Sequence, residues 1–408
     1  MTGSLSKEVK QYFVITGNYW AFTLTDGALR MLVVLHFHEL GYSPLEIAML
    51  FLFYEFFGVI TNLVGGWLGA RLGLNRTMNI GLALQIIALA LLMVPSSMLS
   101  IPLVMGAQAL SGIAKDLNKM SAKSSIKLLV PAEAQGALFK WVAILTGSKN
   151  TLKGVGFFLG AALLSFWGFS GAVGSMAVAL AVVWMLSLVL LKQDMGKAKN
   201  KPKFTDIFSK SASVNYLSAA RLFLFGARDV WFVVALPVFM ASSLGWSHWS
   251  VGSFLAAWII GYGFVQSVAP LITGVRRGHV PGGKSAFAWA ALLATIPALI
   301  ALGLVKELET LYILLGGLGI FGVIFAINSS LHSYLIVSFA KEDGVSLDVG
   351  FYYMANAMGR LIGTVLSGWV YQAYGLVACL GISASFVVVA AVMTLPLIKM
   401  QKSAELEL

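Results

Sequence analysis

Basic side chains recur at four-residue spacing inside apolar stretches of this sequence. They are Lys115, Lys119, Lys123 and Lys127 in one row, and Lys149 and Lys153 in a second. In an α-helix this spacing turns each side chain by only about 40° relative to the last, so each row lies on one helix face. Apolar walls strengthen the field of such charges, which attracts anions. We therefore expect a binding site for a small anion. Lys123 and Lys127 should reach the cytoplasm and guide the anion into that site.

Titratable residues are scarce in the apolar stretches, and the basic ones outnumber the acidic ones. A charge at the centre of a bilayer costs about 2.5 to 3.5 kcal/mol, so these side chains must face water or each other. We predict that substrate is bound by Arg30, Lys115, Lys119, Lys149, Lys153, Arg228, Asn328, Asn356 and Arg360. The candidates for proton coupling are Asp26, Glu55, Asp116 and Asp229.

Several of these residues also admit a purely structural interpretation. Asp26 and Arg30 have the spacing of an intrahelical ion pair, as do Asp116 and Lys119. Aromatic residues near the charges are expected to serve in helix packing or at the membrane interface: Tyr19, Trp20, Tyr54, Tyr352 and Tyr353.

Four polar residues have uncertain surroundings. Arg228 and Asp229 are adjacent and point about 100° apart, so we expect that they do not simply neutralise one another. Arg221 lies near the inner end of its segment and could extend its guanidinium to the membrane surface. His332 is either a proton carrier or an ordinary hydrogen-bonded polar residue, and the second is favoured.

The segments that position these residues are long and apolar. Hydrophobic residues make up 59% of the 408 residues, which is typical of a membrane protein. Twelve runs are long enough to span a bilayer; they lie near 12–38, 44–69, 77–94, 101–122, 139–167, 171–191, 214–241, 248–275, 285–305, 311–340, 348–374 and 376–398. We predict an all-α membrane protein with two six-helix halves, 1–191 and 214–408, joined by a cytoplasmic linker, 192–213.

Loop charges predict the orientation. With both termini in the cytoplasm, the inner segments hold 19 Lys and Arg residues and the outer ones only Lys306, as the positive-inside rule requires. The net charge of +11 is then explained by topology and anionic lipid, without nucleic acid.

The two halves repeat weakly. Gly112 and Asn118 align with Gly322 and Asn328 at an offset of 210, and Lys153 aligns with Arg360 at 207. Nearly constant offsets are typical of duplicated transporters that work by alternating access of two halves. An anion with a charged group at each end could be held by opposite halves.

The segment Gly66-Trp67-Leu68-Gly69-Ala70-Arg71-Leu72-Gly73 resembles the Gly-x-Leu-x-Asp-Arg-x-Gly signature of the major facilitator superfamily, with Ala70 in place of Asp. Longer stretches, including GIAKDLNKMSAKSSIKLL and LTGSKNTLKGVGFFLGAALL, resemble the ArsJ-type organoarsenical efflux permeases. That resemblance implies export of 1-arseno-3-phosphoglycerate made by a glyceraldehyde-3-phosphate dehydrogenase, and hence arsenate resistance, from the bacterial inner membrane.

Other classes of function lack their residues. The one cysteine, Cys379, provides neither a disulfide nor a thiolate cluster for a metal or trivalent arsenic. We expect no cofactor, no enzymatic activity and a monomer that contacts lipid. Proton antiport is the favoured coupling. An organophosphate/phosphate exchanger is the alternative within transport. A drug exporter is less favoured, because it would need an acidic cavity. A membrane sensor would need an output domain and a hydrolase a catalytic constellation, and neither is evident.

Overall fold

The computed structural model describes residues 7–42, 50–191, 195–199, 202–209, 211–275 and 280–406. Within these ranges the regular structure is helical throughout, which confirms the predicted all-α class. The main helices are α1 (Lys7–Glu39), α2 (Leu52–Leu72), α3 (Leu74–Leu91), α4 (Ile101–Leu129), α5 (Gln135–Leu190), α6 (Ala212–Phe232), α7 (Ala235–Ser242), α8 (His248–Ile272), α9 (Gly283–Val305), α10 (Thr310–Phe339) and α11 (Val345–Leu406).

Helices α5 and α11 are each broken once by a glycine. Gly168 (φ 65°) and Gly375 (φ 76°) leave the helical conformation, and a positive φ is tolerated there because glycine has no Cβ. The two positions lie 207 residues apart, the offset that aligns Lys153 with Arg360. Each long helix therefore comprises two apolar segments, at the boundaries that the sequence predicts. Among the described helical segments, seven are long and apolar enough to cross a membrane, and α5 and α11 belong to them.

The seventh predicted span is also interrupted, between α6 and α7. Pro237 lacks an N–H, and its ring would clash with the carbonyl of Val233 in a continuous helix. The backbone N–H groups of Val234 and Ala235 instead donate to the Ser367 hydroxyl of α11, at 3.3 and 3.1 Å. A side chain thus satisfies the groups that the break releases, as an apolar surrounding requires.

The chain forms two compact units. Unit 1 comprises Met1–Ala134, Ser148–Phe208 and Ala340–Met354, and unit 2 comprises Gln135–Gly147, Ser209–Phe339 and Ala355–Leu408. Each unit has its own apolar core, around Phe22 and Phe37 in unit 1 and around Trp231 and Phe321 in unit 2. The predicted division into halves 1–191 and 214–408 stays a prediction.

Residues 195–199 of the linker pack within unit 1, where two of them contact the region of the turn between α2 and α3. The N–H of Ala198 donates to the carbonyl of Ala70 at 2.8 Å, and the N–H of Leu74 donates to the carbonyl of Met195 at 2.8 Å. The N–H of Lys199 donates to Oδ1 of Asp343 at 2.9 Å. Residues 192–194, 200–201 and 210 of the predicted linker lie outside the described residues.

Candidate functional site: two buried basic clusters

Unit 1 contains a group of charged residues around the Tyr54 ring. We call it the Tyr54 cluster; its members are Asp26, Arg30, Tyr54, Glu55, Lys115, Asp116, Lys119 and Lys153. The Tyr54 hydroxyl donates to Oδ1 of Asp26 at 2.7 Å. The Arg30 guanidinium lies 4.6 Å from the Tyr54 ring centroid, and the Lys115 ammonium lies 3.8 Å from it. A tyrosine that the sequence assigns to packing is thus the centre of the cluster, held by cation–π contacts.

Ion pairs complete the Tyr54 cluster. Arg30 Nη2 lies 3.3 Å from Glu55 Oε1, and Lys153 Nζ lies 3.9 Å from Asp26 Oδ2. The side chains of Arg30, Glu55 and Lys153 are 26, 35 and 22% exposed, while that of Asp26 is 6% exposed. Four basic residues meet three acidic ones, so the cluster keeps one positive charge in excess. Its solvent-accessible members are the ones that an anion can reach.

Close packing of α1 on α5 brings Asp26 to Lys153. A Cβ on Gly27 would lie 2.7 Å from the Lys153 carbonyl oxygen, and one on Gly156 would lie 2.8 Å from that of Leu24. Only glycine permits the two helix backbones to lie this close, because Cβ atoms in proteins essentially never come within 3.0 Å of such atoms. The glycines at this helix contact therefore position Asp26 and Lys153 next to each other in the cluster.

The row of lysines on α4 is more buried than the sequence indicates. Lys119 Nζ donates to Asp116 Oδ1 at 2.6 Å, which confirms the pairing weighed above, and Lys115 Nζ lies 3.9 Å from Asp116 Oδ2. The ammonium groups of Lys119 and Lys123 lie 4.7 and 5.0 Å from the Tyr353 ring centroid.

The expectation that Lys123 reaches the cytoplasm is wrong, because it is 2% exposed. The predicted fourth span ends at 122, whereas α4 continues to Leu129, which keeps Lys123 among packed helices.

Unit 2 contains the Asp229 cluster, defined as Arg228, Asp229 and Arg360. Asp229 is fully buried; its Oδ1 accepts from Arg228 Nε at 2.6 Å, and its Oδ2 accepts from Arg360 Nε at 3.2 Å. The expectation that Arg228 and Asp229 do not neutralise one another is wrong, since Arg228 Nη2 also lies 2.5 Å from Oδ1. The long arginine side chain spans the angle between adjacent positions. One carboxylate therefore holds two guanidinium groups, and the cluster is net positive.

Arg221 forms a second polar contact area in unit 2. The sequence allowed its guanidinium to extend to the membrane surface, and it does not, because Arg221 is 3% exposed. Its Nε donates to Asn356 Oδ1 at 2.8 Å, and its Nη1 donates to the Ser329 carbonyl at 3.1 Å. The guanidinium also lies 3.9 Å from the Phe225 ring centroid. Neutral oxygens and a ring thus orient this cation.

The remaining predicted binding residues lie on the same helices. Asn356 is a partner of Arg221, and Asn328 donates its amide to the carbonyls of Trp289 and Ile324 at 2.9 and 3.1 Å. Lys149 is half-buried on α5, four residues before Lys153. Contact of any of these residues with a substrate stays a prediction. Among the described residues, no group of three or more His, Cys, Asp or Glu side chains is arranged to hold a metal ion.

Comparison with known proteins places the chain in a family. The model of the Major Facilitator Superfamily matches residues 13–344. The chain therefore belongs to this superfamily of transporters and is a multi-pass membrane protein. No curated protein matches the sequence significantly.

Solved structures of the superfamily are similar in fold. The human organic anion transporter MFSD10 (TETRAN) is 16% identical, with a TM-score of 0.75 over 96% of this chain and 100% of that one. A bacterial homologue of the iron transporter ferroportin, outward-facing, is 12% identical, with a TM-score of 0.74 over 95 and 99%. The E. coli fucose:proton symporter FucP is 13% identical, with a TM-score of 0.72 over 95 and 98%. At these identities the likeness shows the fold alone.

Proposed function

We propose that this transporter exports a small organic oxyanion, and that the anion is the pentavalent ester 1-arseno-3-phosphoglycerate. The observation that carries the proposal is the surplus of Lys and Arg in the Tyr54 and Asp229 clusters, inside helices that span the membrane. Buried cations are costly in hydrocarbon and are retained where they serve transport. The specific ester comes from the resemblance of the sequence to ArsJ-type permeases.

The chemistry of the clusters suits phosphate, carboxylate and arsenate groups. A guanidinium donates to such oxyanions through a planar fork, and an ammonium group acts as a point charge. Arg360, with 34% of its side chain exposed, and Lys153 are the cations we assign to first contact. An anion bound there competes with the carboxylates of Asp229 and Asp26, respectively.

That competition supplies a mechanism for proton coupling. When a proton neutralises Asp229, Arg228 and Arg360 lose their counter-charge and become available to the anion. Protonation of Asp26 would release Lys153 in the same way. Alternating access then carries the anion outward in exchange for protons.

Direct anion exchange is the second candidate. Each of the four acidic residues has a basic partner within 4 Å: Glu55 with Arg30, Asp26 with Lys153, Asp116 with Lys119, and Asp229 with both arginines. An organophosphate/phosphate exchanger needs no carboxylate that titrates, so this pairing suits it as well.

The proposal includes the setting of the protein. It places the chain in the bacterial cytoplasmic membrane with both termini inside, as a monomer in contact with lipid and without cofactor or enzymatic activity. Its functional partner is a glyceraldehyde-3-phosphate dehydrogenase that uses arsenate in place of phosphate.

A growth and accumulation experiment tests the proposal in cells. The chain is expressed in a bacterium that lacks its own arsenic efflux, with and without extra dehydrogenase, and cell arsenic is measured after exposure to arsenate or arsenite. We expect less cell arsenic and better growth in arsenate, an effect that increases with the dehydrogenase, and no change in arsenite. Equal arsenic content with and without the chain would refute export, and equal protection from arsenite would refute the pentavalent ester.

A further inference from the structure

His332 of α10 has an unusual environment for a buried polar residue. It is 0% exposed, and neither of its ring nitrogens has a hydrogen-bond partner among the described residues. The expectation of an ordinary hydrogen-bonded histidine is therefore wrong. Buried polar groups nearly always have partners, because an unmade hydrogen bond is expensive. The imidazole thus calls for a partner beyond the described residues, and a bound molecule could supply one.

A cation lies close to this imidazole. Arg221 Nη1 donates to the carbonyl of Ser329, which is three residues before His332 on the same helix. Residues three apart on a helix are neighbours on its surface. The Ser333 hydroxyl, next in sequence and fully buried, also has no partner among the described residues.

Two of the contacts of Arg221 are with neutral oxygens. Asn356 Oδ1 and the Ser329 carbonyl oxygen each accept a hydrogen bond from one of its nitrogens, which fixes the orientation of the guanidinium. The area around Arg221 and His332 therefore combines an oriented cation with unused neutral hydrogen-bonding groups.

We infer that Arg221 and His332 form a subsite for the hydroxyl-bearing end of a phosphorylated hydroxy acid, a refinement that rests on the proposed anion transport. A neutral imidazole has one N–H donor and one acceptor nitrogen. Arginine and lysine cannot accept a hydrogen bond, so they cannot receive the proton of a substrate hydroxyl. His332 can, while Arg221 binds the neighbouring anionic group. The subsite is closed to solvent in this conformation and opens with the helices during transport.

Everted vesicles test this subsite. They expose the cytoplasmic face of the transporter and take up labelled arsenic when dehydrogenase, glyceraldehyde 3-phosphate, NAD and arsenate are supplied. Two competitors are added in turn: 3-phosphoglycerate, which has the 2-hydroxyl, and 3-phosphonooxypropanoate, which lacks it. We expect the hydroxylated competitor to inhibit at least about tenfold more strongly, because a site built for a hydroxyl rejects the analogue without one.

Two variants distinguish recognition from structural support. His332→Leu removes both hydrogen-bonding nitrogens and should bring the inhibition constants of the two competitors to within about twofold of each other. His332→Asn retains a donor and an acceptor and should restore part of the preference. A merely structural histidine would change uptake and both inhibition constants together, leaving their ratio as in the wild type.

The outcomes separate this inference from the proposed function. No dehydrogenase-dependent uptake by the wild type would refute both. Uptake with equal inhibition by the two competitors, or with inhibition by neither, would refute the subsite alone and leave water as the partner of His332. An unchanged ratio in His332→Leu, together with a loss of proton-driven accumulation, would also overturn the subsite and assign His332 to proton transfer.

Discussion

Replacing Asp229 by Asn separates coupling from binding. The wild-type carboxylate is fully buried and holds Arg228 and Arg360. Removing one partner of a buried ion pair costs about 3 to 5 kcal/mol of stability. The arginine side chains are 15 and 34% exposed, so water relieves part of this cost, and we expect a loss of about 3 kcal/mol, near the lower end.

The same substitution should strengthen anion binding. A hydrogen bond to a charged group contributes about 1.5 to 3 kcal/mol, and a bound anion no longer has to displace the carboxylate from the arginines. Even the lower value corresponds to about tenfold tighter binding. The variant should therefore exchange anion across the membrane at a lower half-saturating concentration, while it loses accumulation driven by a proton gradient.

The assay compares counterflow with gradient-driven uptake in everted vesicles, after the folded fraction has been normalised by size-exclusion chromatography. Glu309→Gln, at an exposed carboxylate before α10, is the matched control and should retain both activities. Full gradient-driven accumulation in Asp229→Asn would refute the coupling role. Loss of exchange together with accumulation in a folded variant would show that Asp229 is a structural clamp.

Three further predictions concern single contacts. Lys153→Ala should lower the rate of anion uptake at least about tenfold, since the charged contact that it removes is worth about 1.5 kcal/mol or more. The control Lys306→Ala, at an exposed lysine, should leave the rate unchanged. Uptake by Lys153→Ala at the wild-type rate would exclude Lys153 from the site. Gly156→Ala should destabilise the detergent-solubilised protein by about 1 to 3 kcal/mol through overpacking. The control Gly261→Ala, with open space around its Cβ position, should not destabilise it. Equal melting temperatures of the two variants would contradict the close packing of α1 on α5. Ser367→Ala should lower the free energy of unfolding by about 1 to 3 kcal/mol, because it leaves the N–H groups of Val234 and Ala235 without their acceptor. An unchanged melting temperature would contradict the stabilising role of the Ser367 hydroxyl.

Helix boundaries are the feature that the sequence predicts best. Apolar length and the repeat offset place the breaks at Gly168 and Gly375 within a residue or two, because membrane thickness constrains each span. The interruption before Pro237 is less visible, since the acceptor that makes it tolerable is Ser367, which is 133 residues away from Val234. Spacing along the chain carries no information about such a contact.

The members of the basic clusters are predicted better than their partners. Residue type and burial cost identify Arg30, Lys153 and Arg360 as residues that need a counter-charge or water. Which acid each one meets depends on helix packing: Arg30 contacts Glu55 from another helix, and Arg360 contacts Asp229 across 131 residues. Neighbours three or four residues away in the same helix are the only partners that sequence spacing can suggest.

The two misplaced residues of unit 2 have the same explanation. Nothing in the sequence distinguishes Arg221 at a membrane surface from Arg221 bonded to Asn356 and Ser329. Similarly, the lack of a partner for His332 within the described part of the chain depends on how the helices pack, which spacing along the sequence does not reveal. The five polar residues among positions 328–333 of α10, interrupted only by Leu331, are the one signal that could have indicated a polar interior there, because such a cluster is costly against lipid.

Substrate-dependent uptake into everted vesicles tests the central claim most directly. Vesicles with and without the protein are given labelled arsenate alone, labelled 3-phosphoglycerate alone, or labelled arsenate with the complete dehydrogenase reaction. We predict protein-dependent accumulation of label chiefly in the third case, and less of it when the proton gradient is collapsed. Accumulation of free arsenate or 3-phosphoglycerate to the same level would contradict the arseno-ester while keeping an anion transporter, and no protein-dependent accumulation in any case would contradict the account.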